Sequence, residues 1–167
     1  FYDIEKGAVK LDGEDVRSLK TADLHRAISF VPQTATLFTG TIRDNLKFGN
    51  ADATDDEIWH ALEIARSTDF VKEEGGLDAH VEQGGGNFSG GQRQRLAIAR
   101  ALVKQASVYV FDDSFSALDF KTDAQLRAEL RQDDQVQQAV VVIVAQRIAT
   151  VADADLILVL DNGKLVG

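Results

Sequence analysis

A glycine-rich stretch in the middle of the chain runs directly into a helical pattern, and its residues could bind an anion. Ser89 and Gln92 stand three apart, the spacing of a capping box that satisfies two amide donors at a helix start. Gly90 and Gly91 have no Cβ, so the first-turn N–H groups could approach a phosphate that the helix dipole also favours. We therefore predict an anion-binding helix start. A glycine linker before an ordinary surface helix is the alternative that this stretch alone leaves open.

Polar residues also follow two predicted strands. The apolar residues 108–111 are typical of a strand covered on both faces, and they are followed by Asp112 and Asp113. Such carboxylates could hold Mg²⁺ beside bound phosphates, or they could cap a turn or a helix. Gln33 follows Pro32 at the end of another predicted strand, where ligands gather in open α/β sheets. An ordinary loop glutamine would fit the same position.

The elements that must position these residues are predicted from periodicity and turn signals. Strands are expected over residues 8–11, 27–31, 108–111, 139–145 and 156–160, with hairpin turns at Asp12-Gly13 and Asp161-Asn162-Gly163. Helices are expected to begin at caps or turns near Thr21, Thr54, Thr68, Ser89 and Asp119. Residues 131–138 are expected to form a solvated loop. The alternation of helices and apolar strands indicates parallel strands with helical crossovers.

The composition excludes several classes of function. The 167 residues suffice for one domain, and a hydrophobic content of 44% supports a sizeable core. A net charge of −9 argues against nucleic acid as a partner, because binding its phosphates needs a basic face. The absence of cysteine excludes disulfides and zinc–thiolate sites. No apolar run is long enough to span a bilayer, so we expect no direct membrane insertion of these residues.

Five motifs, in order and spacing, resemble those of the nucleotide-binding domain of an ABC transporter. They are Val31-Pro32-Gln33 for the Q-loop, residues 39–46 for the stretch that follows it in exporters, residues 88–92 for the signature, residues 108–112 for Walker B and residues 116–119 for the D-loop. The resemblance extends over residues 1–167 and implies an α/β, P-loop NTPase-like fold. Residues 1–50 and 106–167 would form a mainly parallel core, and residues 51–105 would form a helical subdomain with the signature.

The resemblance also implies ligands and partners. Two such domains would meet head to tail around ATP and Mg²⁺, at the cytoplasmic face of the plasma (inner) membrane. Residues 89–92 and Asp119 would contact nucleotide at the interface with the second domain. Gln33 and Asp112 would hold Mg²⁺ at the chain's own site, and Gln33 would also sense the γ-phosphate. Residues 39–45, with the helical insert, would face the coupling helices of the transmembrane domain.

The sequence departs from the family pattern at several positions. The resemblance places the Walker A loop upstream of Phe1, so we expect an N-terminally truncated domain that binds ATP very weakly alone and exposes apolar sheet surface. Asp113 stands where the family usually has the catalytic glutamate, and its carboxylate is one methylene shorter. Gln146 stands at the position of the switch histidine and cannot carry a titrating proton. Gln83 stands where exporters usually have glutamate.

Asp113 and Gln146 would belong to the chain's own ATP site, whereas residues 89–92, which match the family well, would serve the partner's site. We therefore interpret the chain as the degenerate half of a heterodimeric exporter. The alternatives are a homodimeric exporter that hydrolyses ATP slowly at both sites, and a non-transport ABC ATPase that acts as a clamp.

Overall fold

The computed structural model describes residues 6–167, in which α-helices pack beside a small parallel sheet. The strands are β1 (Lys10–Leu11), β2 (Glu14–Asp15), β3 (Ile28–Val31), β4 (Gly40–Thr41), β5 (His80–Val81), β6 (Val108–Asp112), β7 (Val140–Val144), β8 (Leu160–Asp161) and β9 (Lys164–Leu165). The helices are α1 (Thr21–Ala27), α2 (Ile42–Lys47), α3 (Asp55–Ile64), α4 (Thr68–Glu73), α5 (Gly90–Val103), α6 (Phe120–Gln132), α7 (Asp134–Gln137) and α8 (Ile148–Val151).

The central sheet has the order β3-β6-β7, and both neighbouring pairs are parallel. Ile28 lies opposite Val108, which in turn lies opposite Val140, so the carboxyl ends of the three strands meet at one edge. The predicted parallel pairing with helical crossovers is confirmed for these strands. This arrangement brings Gln33, Asp113 and Gln146 to the same edge of the sheet, since each follows one of the strands.

The predicted burial of the strands is only partly correct. Tyr109 and Phe111 of β6 are buried, but the alternate residues Val108 and Val110 are only half-buried. Strand β7 also has the continuous apolar sequence that predicts a buried strand, but it is mostly exposed, and Val140 retains 60% of its accessible surface. A continuous run of apolar residues indicates that both faces of a strand could be buried. Whether they are buried depends on which elements pack against each face.

Three local predictions are wrong. Residues 156–160 do not join the parallel sheet, because the Val159 N–H bonds to Gly167 and the Val166 N–H bonds to Val159, which pairs this segment with the chain's own end. Residues 131–138 are not a solvated loop, since Asp133 caps α7 and Val136 is buried. Helix α1 begins after Lys20 without a side-chain cap, so Thr21 is its first residue and not its cap.

Capping boxes begin three of the helices. The predicted boxes at Thr54 with Glu57 and at Ser89 with Gln92 are confirmed, and Thr41 with Asp44 forms another that the sequence analysis did not identify. The predicted hairpin turns at residues 12–13 and 161–163 are also confirmed.

Helix α5 lies at the centre of the packing and contacts α2, α3 and β3. The apolar side chains that it buries include Leu96, Ile98, Leu102 and Val103. Strand β4 pairs with β5 across the beginning of α2, which ties the loop after β3 to the helical region.

The division into a core and a helical subdomain of residues 51–105 stays a prediction, and residues 1–5 of that core lie outside the described residues. Within residues 6–167, no helix is long and apolar enough to cross a membrane.

Candidate functional site

Asp113 is the centre of a cluster of polar side chains at the carboxyl edge of the sheet. Its carboxylate oxygen Oδ2 accepts hydrogen bonds from Gln33 Nε2 at 3.0 Å and from Gln146 Nε2 at 3.1 Å. Gln33 comes from the loop after β3 and Gln146 from the loop after β7, so the three strands each supply one member. The cluster unites the two predicted catalytic residues with a predicted Mg²⁺-binding residue.

The backbone holds Asp113 in a left-handed conformation with φ of 47°. The Asp113 N–H donates to the Val144 carbonyl at 2.9 Å, and the Asp113 carbonyl accepts from the Ser116 hydroxyl at 2.7 Å. Aspartate tolerates this region better than most side chains, and such outliers are often found at functional sites. The local hydrogen bonds therefore determine the direction of the carboxylate.

Ser114 links the segment after β6 to the end of β3. It is fully buried, and its hydroxyl donates to the Val31 carbonyl at 2.8 Å, which joins β6 to β3 just before Gln33. Nothing in the sequence singles out this residue. A serine directly after two acids carries no signal by itself, because its partner is 83 residues away in the sequence.

Asp112 lies beside this cluster, half-buried at the end of β6. Within residues 6–167, its carboxylate makes no hydrogen bond or ion pair, so both oxygens are available to a ligand. Gln33 donates a hydrogen bond through Nε2. Its Oε1 therefore remains as a further oxygen ligand for a metal ion. No cluster of three acidic or histidine side chains that could enclose an ion occurs in this part of the chain. Mg²⁺ at a phosphate site needs only one or two protein carboxylates, because phosphates and water supply the rest, so the donor set fits.

The start of α5 forms the predicted capping box. The Ser89 hydroxyl accepts from the Gln92 N–H at 3.2 Å, and the Gln92 Oε1 accepts from the Ser89 N–H at 2.8 Å. In the described chain, the N–H groups of Gly90 and Gly91 have no protein acceptor and lie at the solvent-accessible start of the helix. These are the donors that an anion would meet at the positive end of the helix dipole.

Asp119 begins another helix. Its carboxylate accepts from the N–H groups of Lys121 and Thr122 at 3.1 and 3.0 Å and caps α6. The hydrogen bond from the Thr122 N–H, followed by weaker ones, lowers the pKa of Asp119 below its ordinary value. The contact of Asp119 with nucleotide stays a prediction, because the capping role alone accounts for its position in this chain.

The predicted site residues fall into two groups. Gln33, Asp112, Asp113 and Gln146 lie together at the sheet edge, whereas residues 89–92 and Asp119 make no hydrogen bond with them within residues 6–167. The two groups are joined through the loop between β6 and α6. An added Cβ at Gly91 would lie 3.4 Å from the carbonyl oxygen of Ala117 in that loop. The separation matches a chain that offers different faces to different ligands.

The loop between β3 and α2 is held by a buried asparagine. Asn45 Nδ2 donates to the carbonyls of Phe38 and Thr41, and its Oδ1 accepts from the Phe38 N–H at 2.8 Å. Phe38 and Phe48 remain partly exposed with their rings 4.9 Å apart. Residues 39–45 are therefore a fixed surface with apolar side chains beside it, which suits a docking face.

Two further polar residues make contacts near the site that were not predicted from the sequence, although the sequence pattern could have identified one of them. Gln94 is 2% exposed and donates from Nε2 to the Pro32 carbonyl at 3.2 Å. It lies four residues before Ile98 on the buried side of α5, and a polar residue in an apolar stripe is the signal that could have identified it. Arg147 donates to the Ser116 carbonyl at 3.1 Å and packs over Phe120, a contact between distant segments that sequence cannot show.

Comparisons with known proteins identify relatives that match nearly the whole chain. The sequence profile of the family described as ABC transporter matches residues 1–116. An uncharacterised ABC transporter ATP-binding protein of Mycobacterium tuberculosis is 51% identical over 170 residues, which cover 100% of this chain and 29% of the relative.

More distant relatives carry functional names. The mitochondrial iron–sulfur clusters transporter ATM1 of Kluyveromyces lactis is 42% identical and is matched over 23% of its length by 99% of this chain. The ATP-dependent lipid A-core flippase of Vibrio parahaemolyticus is 38% identical over 99% of this chain and 28% of its own length. The structure of a bacterial Atm1-family ABC exporter with ATP bound superposes with a TM-score of 0.92 at 35% identity, over 99% of this chain and 29% of that one.

Proposed function

This chain belongs to the ABC transporter family, and from that membership we propose that it is the ATP-binding domain of an exporter. It has the α/β fold of an ABC ATPase. It spans less than a third of the length of the curated relatives that it matches. Relatives named as a cluster transporter and a flippase, and an exporter structure with ATP bound, support ATP hydrolysis coupled to export as the activity of the whole protein.

The proposed cofactors are ATP and Mg²⁺. Asp112 and the Oε1 of Gln33 are the oxygen ligands that this chain would offer to the metal, since neither is occupied by another group of residues 6–167. When bound, Mg²⁺ would neutralise charge on the phosphates. The protein's own contribution is to hold these oxygens at the sheet edge through the β3-β6-β7 register.

The proposed partner is a second nucleotide-binding domain that meets this one head to tail. The free N–H groups of Gly90 and Gly91 are suited to phosphate of the nucleotide bound to that domain, with Ser89, Gln92 and Asp119 shaping the contact. Residues 39–45 would dock the coupling helices of a transmembrane domain. The chain would then lie at the cytoplasmic face of the plasma (inner) membrane.

The chain's own site is proposed to be impaired in hydrolysis, and the hydrogen bonds at Asp113 carry this proposal. A general base must accept a proton from an attacking water, but Oδ2 of Asp113 already accepts from two amides. Amides of glutamine cannot take up the proton in turn, because they do not titrate. The arrangement suits a group that holds Mg²⁺-ATP in place more than one that activates water.

These features favour the degenerate subunit of a heterodimeric exporter. The competing function is a homodimeric exporter that turns over slowly with Asp113 as its base. The observation in its favour is that Oδ1 of Asp113 makes no hydrogen bond within residues 6–167. In the first case the chain's signature residues 89–92 complete an active site on a different polypeptide. In the second they complete an identical impaired site.

Restoring the family's residues separates the two functions. Asp113→Glu with Gln146→His would be introduced into the full-length protein, and ATP hydrolysis would be measured without and with co-expressed candidate subunits. The asymmetric proposal expects the unmodified protein alone to be almost inactive and the double variant alone to gain activity. Brisk hydrolysis by the unmodified protein alone would contradict it, as would a double variant that gains no activity on its own.

A further inference from the structure

Helix α5 is joined to strand β3 and the loop after it by a row of side-chain hydrogen bonds to backbone carbonyls. The four bonds are Lys104 Nζ to Ile28 O at 2.5 Å, Ser29 Oγ to Ala101 O at 3.1 Å, Gln94 Nε2 to Pro32 O at 3.2 Å and Arg100 Nη2 to Thr36 O at 3.0 Å. Side-chain bonds at four points along one element resist its sliding past the other. The helix that begins at Ser89 therefore moves together with the loop that carries Gln33.

Gln94 differs from the other members of this row in burial and position. Only 2% of its surface is exposed, and it lies among the apolar side chains of α5, where an amide is costly unless it is hydrogen-bonded. An apolar residue of similar size would fill the same space without that cost. The hydrogen bond to Pro32 is thus the interaction that distinguishes glutamine from a hydrophobic side chain at this position.

The acceptor of this bond is directly connected to the site. The Pro32 carbonyl belongs to the planar peptide that continues into the backbone nitrogen of Gln33, so a displacement of that carbonyl turns the start of Gln33 as well. Gln33 in turn donates to Asp113 Oδ2 at 3.0 Å. A continuous path therefore runs from α5 through Gln94, Pro32 and Gln33 to the Asp113 carboxylate.

We propose that Gln94 is a positioning residue that sets the orientation of Gln33 according to the position of α5. The inference rests on the proposed function, because the first turn of α5 is where the partner's nucleotide would bind. A nucleotide that draws α5 toward itself at Gly90 and Gly91 then changes the placement of Gln33 at the chain's own site. Gln94 touches neither nucleotide in this scheme and acts only through the Pro32 carbonyl.

Two variants of the full-length protein test this role. Gln94→Met keeps the length and bulk of the side chain but removes its donor. Ser29→Ala is the matched control, because Ser29 is also buried and its bond to Ala101 also joins α5 to β3, but it lies away from Gln33. MgATP binding at the chain's own site, ATP turnover and the melting temperature would be measured for both variants, alone and combined with Gln33→Ala.

We expect both variants to lower the melting temperature by similar amounts, while only Gln94→Met weakens MgATP binding at the chain's own site, about threefold to tenfold as for one lost hydrogen bond. The kcat should be nearly unchanged, because that site is proposed to contribute little to hydrolysis. In the Gln33→Ala background, Gln94→Met should cause no further loss, because its effect passes through Gln33. Equal losses of MgATP affinity in Gln94→Met and Ser29→Ala would overturn the proposal. The proposal would also be overturned if Gln94→Met caused its full loss in the Gln33→Ala background.

Hydrogen exchange of the full-length protein separates this inference from the proposed function. If the unmodified protein hydrolyses no ATP with any partner, the proposed function fails, but exchange still reports on the path. Gln94→Met should then raise amide exchange in residues 33–36 more than Ser29→Ala does. Equal exchange in that segment would overturn the role of Gln94 whatever the activity.

Discussion

Gln33 and Gln146 donate to the same oxygen atom, Asp113 Oδ2, at 3.0 and 3.1 Å. They come from loops after opposite edge strands of the described parallel sheet, and Asp113 follows the strand between them. A single carboxylate oxygen therefore joins the loops that follow all three strands. Such an arrangement is stable because the amides are neutral donors to a carboxylate.

The first prediction concerns Asp113→Asn in the full-length protein with its partner. If the chain's own site contributes little to hydrolysis, loss of this carboxylate should change steady-state ATP turnover by less than about twofold, far below the roughly 10²–10⁴-fold effect of removing a working general base. Turnover and ATP binding would be measured together, with Asp155→Asn, an exposed change in the last third of the chain, as the control. A loss of a hundredfold would identify Asp113 as a working base and favour the slow homodimeric exporter.

The second prediction compares two capping boxes with the same chemistry. Ser89→Ala and Thr54→Ala each remove a hydroxyl that accepts from the N–H three residues later, at 3.2 and 3.3 Å. Each should therefore destabilise the protein by about 0.5–2 kcal/mol. Only Ser89→Ala should also reduce ATP turnover, because α5 begins at the proposed phosphate contact and α3 does not.

Denaturant unfolding and ATP hydrolysis of the same two preparations check this expectation. Ser89→Thr serves as the conservative control, since it retains the hydroxyl cap and should keep most of the activity. If Thr54→Ala and Ser89→Ala lost activity in equal proportion to their stability, the start of α5 would be only a structural cap.

The capping boxes and hairpin turns could be predicted because their partners lie within a few residues. Thr54 with Glu57 and Ser89 with Gln92 satisfy backbone donors locally, and no distant contact is needed to recognise them. The parallel pairing of β3, β6 and β7 also followed from the alternation of helices and apolar strands, but their order in the sheet did not.

The sequence could not indicate which apolar strands would be covered. Residues 140–144 and 156–160 have the same composition as a buried strand, yet the first group is mostly exposed and most of the second lies outside any strand. Their environment is decided by which segments pack on them, a property of the whole fold. The hydrogen bonds of Gln33 and Gln146 to Asp113 are non-local in the same way. Gln33 lies 80 positions from Asp113 in the sequence, and Gln146 lies 33 positions from it.

The third prediction tests the close approach of α2 to α5. Gly49 follows α2, and a Cβ there would lie well inside van der Waals contact with the Arg100 carbonyl oxygen. Gly49→Ala should therefore force α2 away from α5 and destabilise the protein by roughly 1–3 kcal/mol. Gly86→Ala is the control, because its nearest neighbour is the flexible end of the Glu82 side chain at 3.3 Å. Thermal melting that placed the two variants within error of each other would contradict the tight packing at Gly49.

The last prediction is a pH dependence that arises from the cap of α6. The N–H groups of Thr122 and Lys121 stabilise the ionised form of Asp119 and lower its pKa below the ordinary 3.8. A lowered pKa in the folded state means that the unfolded chain binds the proton first, so this stabilisation is complete above the unfolded pKa and is lost as the pH falls through the folded one. The free energy of unfolding should thus decline more steeply below about pH 4 in the unmodified protein than in Asp119→Asn, whose amide caps the helix without titrating. Urea unfolding between roughly pH 3 and pH 6 measures both slopes. Asp155→Asn should retain the steeper slope, and identical slopes in the unmodified protein and Asp119→Asn would show that the cap does not depend on the charge.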